Sequence, residues 1–326
     1  MKKFKKIIVS FLMVTALTAC ATTDTETTAT ITENTDTDAT LTQEEEKSDL
    51  VFIDEGDTSD RDRPMRILLV NDDGYDSNGI QFLHNVLTEK GYDVWTVAPL
   101  ENQSGKGTSI DWNKEAHQLV EYGEQQYAFE GTPTDSFKAA ISVVMPEEPD
   151  LVISGVNDGP NYGEVQMNSG TVSAAARAVR HGYPAIASSL NFFGGDNLDE
   201  LLTDAVNYTA ELVDTLSLEW KNGNSMMPLK TGLSINYPAL DEADILGTKF
   251  VENEDIYSSF QYYKYDEEKE GIYNYVDMDK FNELMNDPDV ENDLTETNKG
   301  YITISVFDGD WNASQEKVDY MKDILK

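Results

Sequence analysis

The chain has 326 residues, with 24 Lys and Arg against 61 Asp and Glu, and its formal net charge at pH 7 is −37. A hydrophobic content of 39% can build a core and excludes a wholly disordered chain, while a single Cys excludes an intrachain disulfide framework and a cysteine-rich zinc module. The acidic excess repels phosphate polyanions, so the sequence argues against a partner that is a nucleic-acid polymer.

The first 20 residues have the order of a secretory signal: several lysines, an apolar run from Ile7 to about Leu17, and the ending Leu17-Thr18-Ala19-Cys20. The apolar run is too short for a membrane span, which needs about 20 residues. The ending resembles a bacterial lipobox, which implies that Cys20 is lipidated; an ordinary signal peptide or an uncleaved anchor is the alternative. We therefore expect an extracytoplasmic lipoprotein, at the cell surface or in the periplasm, that reaches the membrane through its lipid anchor only.

Residues 21 to 64 form a segment of different composition, rich in Thr and acidic residues and nearly free of aromatic side chains. Such a segment cannot bury enough apolar area to offset its conformational entropy. We predict a disordered, self-repelling spacer, with a binding tail as the alternative. The folded domain is then predicted to cover residues 65 to 326.

From Met65 onward, short apolar runs typical of buried strands alternate with segments at helical spacing. The predicted strands cover residues 66–71, 93–98, 151–154, 185–189, 233–236 and 301–307. The predicted helices cover residues 79–90, 134–144, 170–181, 198–216 and 314–325. This alternation predicts an α/β fold with a mostly parallel sheet that is covered on both faces.

Residues 241 to 298 break this alternation and instead have the pattern of exposed hairpins. The segment combines many acidic residues with six tyrosines: Tyr257, Tyr262, Tyr263, Tyr265, Tyr273 and Tyr275. The favoured interpretation is an excursion that packs on a neighbour or on the main domain. The alternative is that its aromatic rings stack on a ligand base.

Polar loops follow several of the predicted strands, and open α/β sheets bind their ligands beyond the carboxyl ends of the strands. The first strand ends in Asn71-Asp72-Asp73-Gly74, where a divalent cation would stabilise the adjacent carboxylates, although surface turns often contain such a pair. The next strand leads to Ser104, and the third leads into a loop from Ser154 to Gly163 that is rich in Gly, Asn and Pro. Ser169-Gly170-Thr171 then opens a helix, which suits either a phosphate site or a plain helix cap.

These segments resemble the survival protein SurE family of metal-dependent nucleotidases. The resemblance is carried, in the family's order, by residues 67–74, Ala98-Pro99 leading to Ser104-Gly105, and residues 131–135, 154–161, 169–172, 235–238 and 300–304. It implies a Rossmann-like three-layer α/β/α core with a C-terminal hairpin excursion, here within residues 245 to 298. That hairpin serves in oligomerisation in the family, so a homo-oligomer, either a dimer or a tetramer, is expected.

The resemblance also implies a function and a set of site residues. The implied activity is the hydrolysis of nucleoside 5′- or 3′-monophosphates to nucleoside and phosphate with a divalent metal ion. The implied metal ligands are Asp72, Asp73, Ser104 and Asn157, an all-oxygen set that suits Mg²⁺ or Mn²⁺. Asp72 and Asp73 are the implied catalytic residues, and the implied phosphate or substrate contacts are Asn161, Ser169, Gly170 and Thr171. The alternative function is a surface lipoprotein that binds a nucleotide or nucleoside without turnover.

Overall fold

The computed structural model describes residues 61–112, 115–253, 261–309 and 312–325. The predicted signal sequence, its lipidation site Cys20, the predicted spacer up to residue 60 and Tyr257 all lie outside the described residues. Within the described ranges, no helix combines the length and the apolar character that crossing a membrane requires.

Eleven strands are found in the described part of the chain. They are β1 (Arg66–Val70), β2 (Asp93–Pro99), β3 (Leu119–Gly123), β4 (Gln126–Phe129), β5 (Leu151–Asn157), β6 (Ala185–Asn191), β7 (Thr231–Pro238), β8 (Thr248–Phe250), β9 (Gln261–Asp266), β10 (Gly271–Val276) and β11 (Ile302–Asp308). Nine of them form one sheet with the order β3-β4-β2-β1-β5-β6-β7-β11-β8. The run from β4 to β7 is parallel throughout, whereas β3 and β11 pair antiparallel with β4 and β7.

The helices are α1 (Asn78–Glu89), α2 (Pro133–Ala139), α3 (Gly170–Arg180), α4 (Leu198–Lys221), α5 (Met278–Met285), α6 (Asp293–Lys299) and α7 (Gln315–Ile324). Strand β1 shows how they are layered, because successive side chains of a strand point to opposite faces of the sheet. Ile67 and Leu69 pack in a cluster with residues of α1 and α4, whereas Leu68 and Val70 pack in another with residues of α2 and α3. The sheet is therefore covered on both faces, and the predicted three-layer α/β fold is confirmed.

Two parts of the domain differ from the sequence prediction. The polar stretch after β2 contains the antiparallel pair β3 and β4, and segment 241–298 contains the helices α5 and α6 besides its hairpin. Strand β3 was missed because it is an edge strand without a buried side chain and therefore has no apolar run. The start of α6 does carry a sequence signal, a capping box formed by Asn292 and Thr295.

The tyrosine-rich segment forms the hairpin β9–β10, a separate two-stranded sheet. Tyr262 and Tyr275 stack on each other across its two strands with ring centroids 6.1 Å apart, and the Tyr275 hydroxyl donates to Asp266 Oδ2 at 2.7 Å. These two rings thus contact each other within the hairpin. A role of this hairpin in oligomerisation stays a prediction.

Candidate active site

Three neighbouring parallel strands bring the predicted metal ligands to one edge of the sheet. Strand β1 pairs in parallel with both β2 and β5, so the carboxyl ends of the three strands meet at this edge. Asp72 and Asp73 directly follow β1, Ser104 lies in the loop after β2, and Asn157 is the last residue of β5. The structure therefore gathers the loops that carry all four residues.

Asp72 is a buried carboxylate that faces the beginning of helix α3. Asp72 is 4% exposed, and its Oδ1 accepts a hydrogen bond from the Thr171 hydroxyl at 2.5 Å. Burial raises the pKa of Asp72, while the hydrogen bonds from the Thr171 hydroxyl and from the backbone N–H groups of Asp72, Gly170 and Thr171 lower it. The N–H groups at the start of α3, which favour a negative charge, are thus directed at a carboxylate of the protein itself.

Gly170 allows α3 to approach this carboxylate closely. A Cβ atom at this position would lie 2.6 Å from Asp72 Cβ, 2.8 Å from Asp72 Oδ2 and 2.9 Å from Pro133 Cγ. Atoms of a larger residue would overlap with a buried side chain on one side and with a rigid ring on the other. Glycine is therefore required here by the contact between α3 and Asp72.

Asp73, in the loop after β1, is hydrogen-bonded to the backbone of Asp158 in the loop after β5. Its pKa is raised to about 8, first by burial and then by the negative charges of Asp72 and Asp158, while a hydrogen bond from the Asp158 backbone N–H lowers it. In the part of the chain that the structure describes, no lysine or arginine forms an ion pair with any of these three carboxylates. Asp72 is buried, Asp73 is half-buried and Asp158 is exposed. A cluster of like charges at such a partly buried place, without a basic ion-pair partner among the described residues, is an environment that a bound cation stabilises.

Ser104 and Asn157 complete the predicted oxygen set. The backbone N–H of Gln103 donates to the Asp72 carbonyl oxygen at 2.7 Å, which ties the Ser104 loop to Asp72. The Asn157 Nδ2 donates to the Gly159 carbonyl oxygen at 2.7 Å, so its amide oxygen is the atom available to a cation. Among the described residues, no group of three or more His, Cys, Asp or Glu side chains could hold a metal ion. The predicted set differs from such a group because it has two carboxylates, one hydroxyl and one amide oxygen. Four oxygen donors of this kind fit a hard cation.

The predicted phosphate contacts are engaged within the protein. Ser169 Oγ accepts the Val172 N–H at 3.1 Å and caps α3. Asn161 Nδ2 donates to Ser189 Oγ at 2.9 Å, and the backbone of Asn161 forms two hydrogen bonds with the Asn236 side chain. These contacts fix the loop after β5 to the ends of β6 and β7. Contact of Asn161, Ser169, Gly170 and Thr171 with a substrate stays a prediction.

Two acidic residues near the site were not predicted from the sequence. Asp158 lies beside Asp73, where it adds to the negative charge of the site. Asp293, the fully buried first residue of α6, accepts hydrogen bonds from the Gly163 N–H at 2.9 Å and from Gln166 Nε2 at 3.2 Å. Helix α6 thereby supports the segment that leads into α3, and no local sequence motif predicts this contact.

Metal-free protein should lose stability as the pH rises toward 8, and the Asp73→Asn variant should lose less. The folded-state pKa of Asp73 is about 8 against an ordinary value of 3.8, so between these values the folded chain keeps a proton that the unfolded chain releases. This contribution to the free energy of unfolding is complete below pH 3.8 and is lost as the pH rises through about 8. Urea unfolding in excess chelator at several pH values measures the difference, and parallel pH profiles of the two proteins would contradict it.

Comparison with known proteins supports this fold and identifies the family. The sequence pattern of the family described as "Survival protein SurE" matches residues 67–258, more than half of the chain. All four predicted metal ligands lie inside the matched span. The crystal structure of the SurE protein from Aquifex aeolicus superposes with a TM-score of 0.64 at 26% identity, and the match covers 79% of this chain and 99% of that chain.

Relatives with high similarity carry the same family name. The protein named 5′-nucleotidase SurE from Jannaschia sp. (strain CCS1) is 36% identical over 193 residues, which cover 57% of this chain and 72% of the relative. The protein of the same name from Erythrobacter litoralis (strain HTCC2594) is 36% identical over 188 residues, covering 57% of this chain and 71% of the relative. Because the family pattern matches more than half of the chain and the fold is shared, the chain belongs to the survival protein SurE family.

Proposed function

We propose that this chain is a 5′-nucleotidase, a phosphomonoester hydrolase that converts nucleoside monophosphates into nucleoside and phosphate with the help of a divalent metal ion. The observation that carries the proposal is the half-buried Asp73 carboxyl beside the buried Asp72 and the charge of Asp158, with no basic ion-pair partner among the described residues. Membership of the SurE family and the name of the relatives support the same reaction.

The proposed metal ligands are Asp72, Asp73, Ser104 and Asn157. Their oxygen atoms favour Mg²⁺ or Mn²⁺ over softer metals. When bound, such an ion supplies charge neutralisation for the phosphate and for the carboxylates, and it activates water for attack on phosphorus.

Residues of the chain orient the reacting groups, which is the main requirement of phosphoryl transfer. The Thr171 hydroxyl and the N–H groups at the start of α3 fix the direction of the Asp72 carboxylate. Ser169 uses its Oγ as an acceptor for Val172, so its hydroxyl hydrogen can donate to a phosphate oxygen. Asp73 accepts a hydrogen bond from the Asp158 N–H, which holds the loop after β5 beside the two adjacent aspartates.

Phosphate release from a panel of nucleoside 5′- and 3′-monophosphates tests this function, with protein that begins near Ser48. We expect release with Mg²⁺ or Mn²⁺ and none in excess chelator. An equal rate in chelator would contradict the metal-dependent reaction. Nucleotide binding without release from any monophosphate would instead identify the non-catalytic binding protein.

We also propose that the chain is anchored outside the cytoplasm by a lipid on Cys20. The order of the first 20 residues and their Leu-x-Ala-Cys ending support this proposal. The Cys20→Ala variant should move from the membrane fraction to the soluble fraction, because a lipidated cysteine is the proposed attachment. Fractionation of cells followed by immunodetection measures the shift, and an unchanged membrane fraction would overturn the anchor.

A further inference from the structure

The loop after β6 lies at the same edge of the sheet as the candidate active site. Strand β6 is the parallel neighbour of β5, and Ser189 is the register partner of the proposed metal ligand Asn157. Neighbouring strands are about 4.8 Å apart. The hydrogen bond from Asn161 to Ser189 Oγ, 2.9 Å long, further joins the loop after β5 to the end of β6. A side chain just beyond Ser189 is therefore next to the site.

Phe193 is an exposed aromatic residue in this loop, and its ring contacts the buried ring of Phe281. It is 65% exposed, and its ring contacts that of Phe281 edge to face, with centroids 5.9 Å apart and an interplanar angle of 70°. Phe281 is 7% exposed and packs with Tyr162 and Leu294. Because the two rings are nearly perpendicular, at least one face of Phe193 is not covered by Phe281. The ring is thus oriented by the protein and open to a planar ligand.

The distance from the site to Phe193 suits a nucleotide. Phe193 follows Ser189 by four residues, and even a fully extended chain of this length spans at most about 14 Å. The chain is more compact than that, since the Phe192 N–H donates to the Leu190 carbonyl oxygen at 2.9 Å. A nucleoside monophosphate extends over a similar length from its phosphate to its base.

Trp112 and the stacked tyrosines of the hairpin fit this role less well. Trp112, in the loop after β2, is 80% exposed, but Lys138 Nζ lies over its ring at 5.6 Å from the centroid. In the hairpin β9–β10, Tyr262 and Tyr275 stack on each other. Phe193 combines an uncovered face, support from a buried ring and a position beside Asn157.

We propose that Phe193 is the platform on which the base of the nucleoside monophosphate stacks, and that it makes the site prefer nucleotides to phosphomonoesters without a base. This inference rests on the proposed function and adds a specificity determinant to it. Stacking on an aromatic ring tolerates different bases because every base has a π face. The platform therefore selects for the presence of a base more strongly than for its identity.

The test compares wild-type protein with Phe193→Ala and Phe193→Tyr on two substrates, adenosine 5′-monophosphate and ribose 5-phosphate, with Mn²⁺ present. Loss of one base-stacking contact corresponds to roughly a 10-fold decrease in kcat/KM, and we expect it for the nucleotide, mainly through KM. Ribose 5-phosphate hydrolysis should change less than about twofold, since its contacts do not include the ring. Phe193→Tyr keeps the π face and should retain the preference for the nucleotide. Trp112→Ala is the matched control and should leave both substrates unchanged.

Adenosine, which has the base and no phosphate, supplies a readout that does not need turnover. Its binding, measured by calorimetry, should weaken about 10-fold in Phe193→Ala while the urea midpoint stays at the wild-type value. Equal losses on both substrates, or a loss of nucleotide preference in Trp112→Ala but not in Phe193→Ala, would overturn the platform. If wild-type protein releases no phosphate but binds adenosine through Phe193, the proposed hydrolysis fails and the platform stands.

Discussion

The Asp72→Asn variant is expected to lose at least about 100-fold in kcat/KM for nucleoside monophosphates, the scale for removing one group that stabilises the transition state. Asparagine keeps the shape of the side chain and an oxygen that can accept the Thr171 hydroxyl, but it removes the negative charge proposed to bind the cation. In the metal-free variant, removal of a buried charge stabilises the fold, while loss of one acceptor oxygen for the backbone N–H groups of Gly170 and Thr171 destabilises it, so we expect only a small net change in the free energy of unfolding. Initial rates of phosphate release and urea unfolding together separate the loss of function from a loss of fold.

Asp76→Asn is the matched control for this variant. It makes the same chemical change in the same loop, at an exposed position. We expect its rate to stay within about twofold of the wild type, because exposed surface charges contribute little. A decrease of less than about threefold in Asp72→Asn would exclude Asp72 from the transition-state contacts assumed here.

The Gly170→Ala variant should combine a loss of stability with a large loss of activity. The added methyl group would lie 2.6 Å from Asp72 Cβ and 2.9 Å from Pro133 Cγ, so either α3 or the carboxylate must move. Overpacking of this kind costs about 1–3 kcal/mol in the free energy of unfolding. A misplacement of about 1 Å in a catalytic group reduces the rate by about 100-fold, and we expect that scale for kcat.

Gly159→Ala provides the comparison on the same edge of the sheet. Its added methyl group would lie 3.7 Å from Asn157 Nδ2, an ordinary van der Waals distance. Unfolding and rate measurements on both variants should show a lower free energy of unfolding and a lower kcat for Gly170→Ala alone. If Gly170→Ala is as stable and as active as Gly159→Ala, the close approach of α3 to Asp72 has no role in the site.

The central strands and helices could be predicted because their signal is local. Residues 67 to 70 form a continuous apolar run, and the structure buries alternate members of it on the two faces of the sheet. The edge strand β3 has no such run, because its side chains stay partly exposed. Helices α5 and α6 were missed because the tyrosines and acidic residues around them have the pattern of hairpins.

The site could be predicted only in part. The Asp72-Asp73 pair at a strand end is visible in the sequence, whereas Ser104 and Asn157 were identified through the family resemblance. The hydrogen bond from Thr171 to Asp72 joins residues 99 positions apart, and the one from Gly163 to Asp293 joins residues 130 positions apart. Contacts of this range depend on how α3 and α6 pack on the sheet, which the local sequence pattern does not specify.

A crystal structure of the protein grown with Mn²⁺, with anomalous scattering used to locate the metal, tests the account most directly. We predict one manganese ion at the carboxyl ends of β1, β2 and β5, bonded to oxygen atoms of Asp72, Asp73, Ser104 and Asn157. An anomalous map with no manganese at this position, or with the ion bound to other residues, would contradict the account.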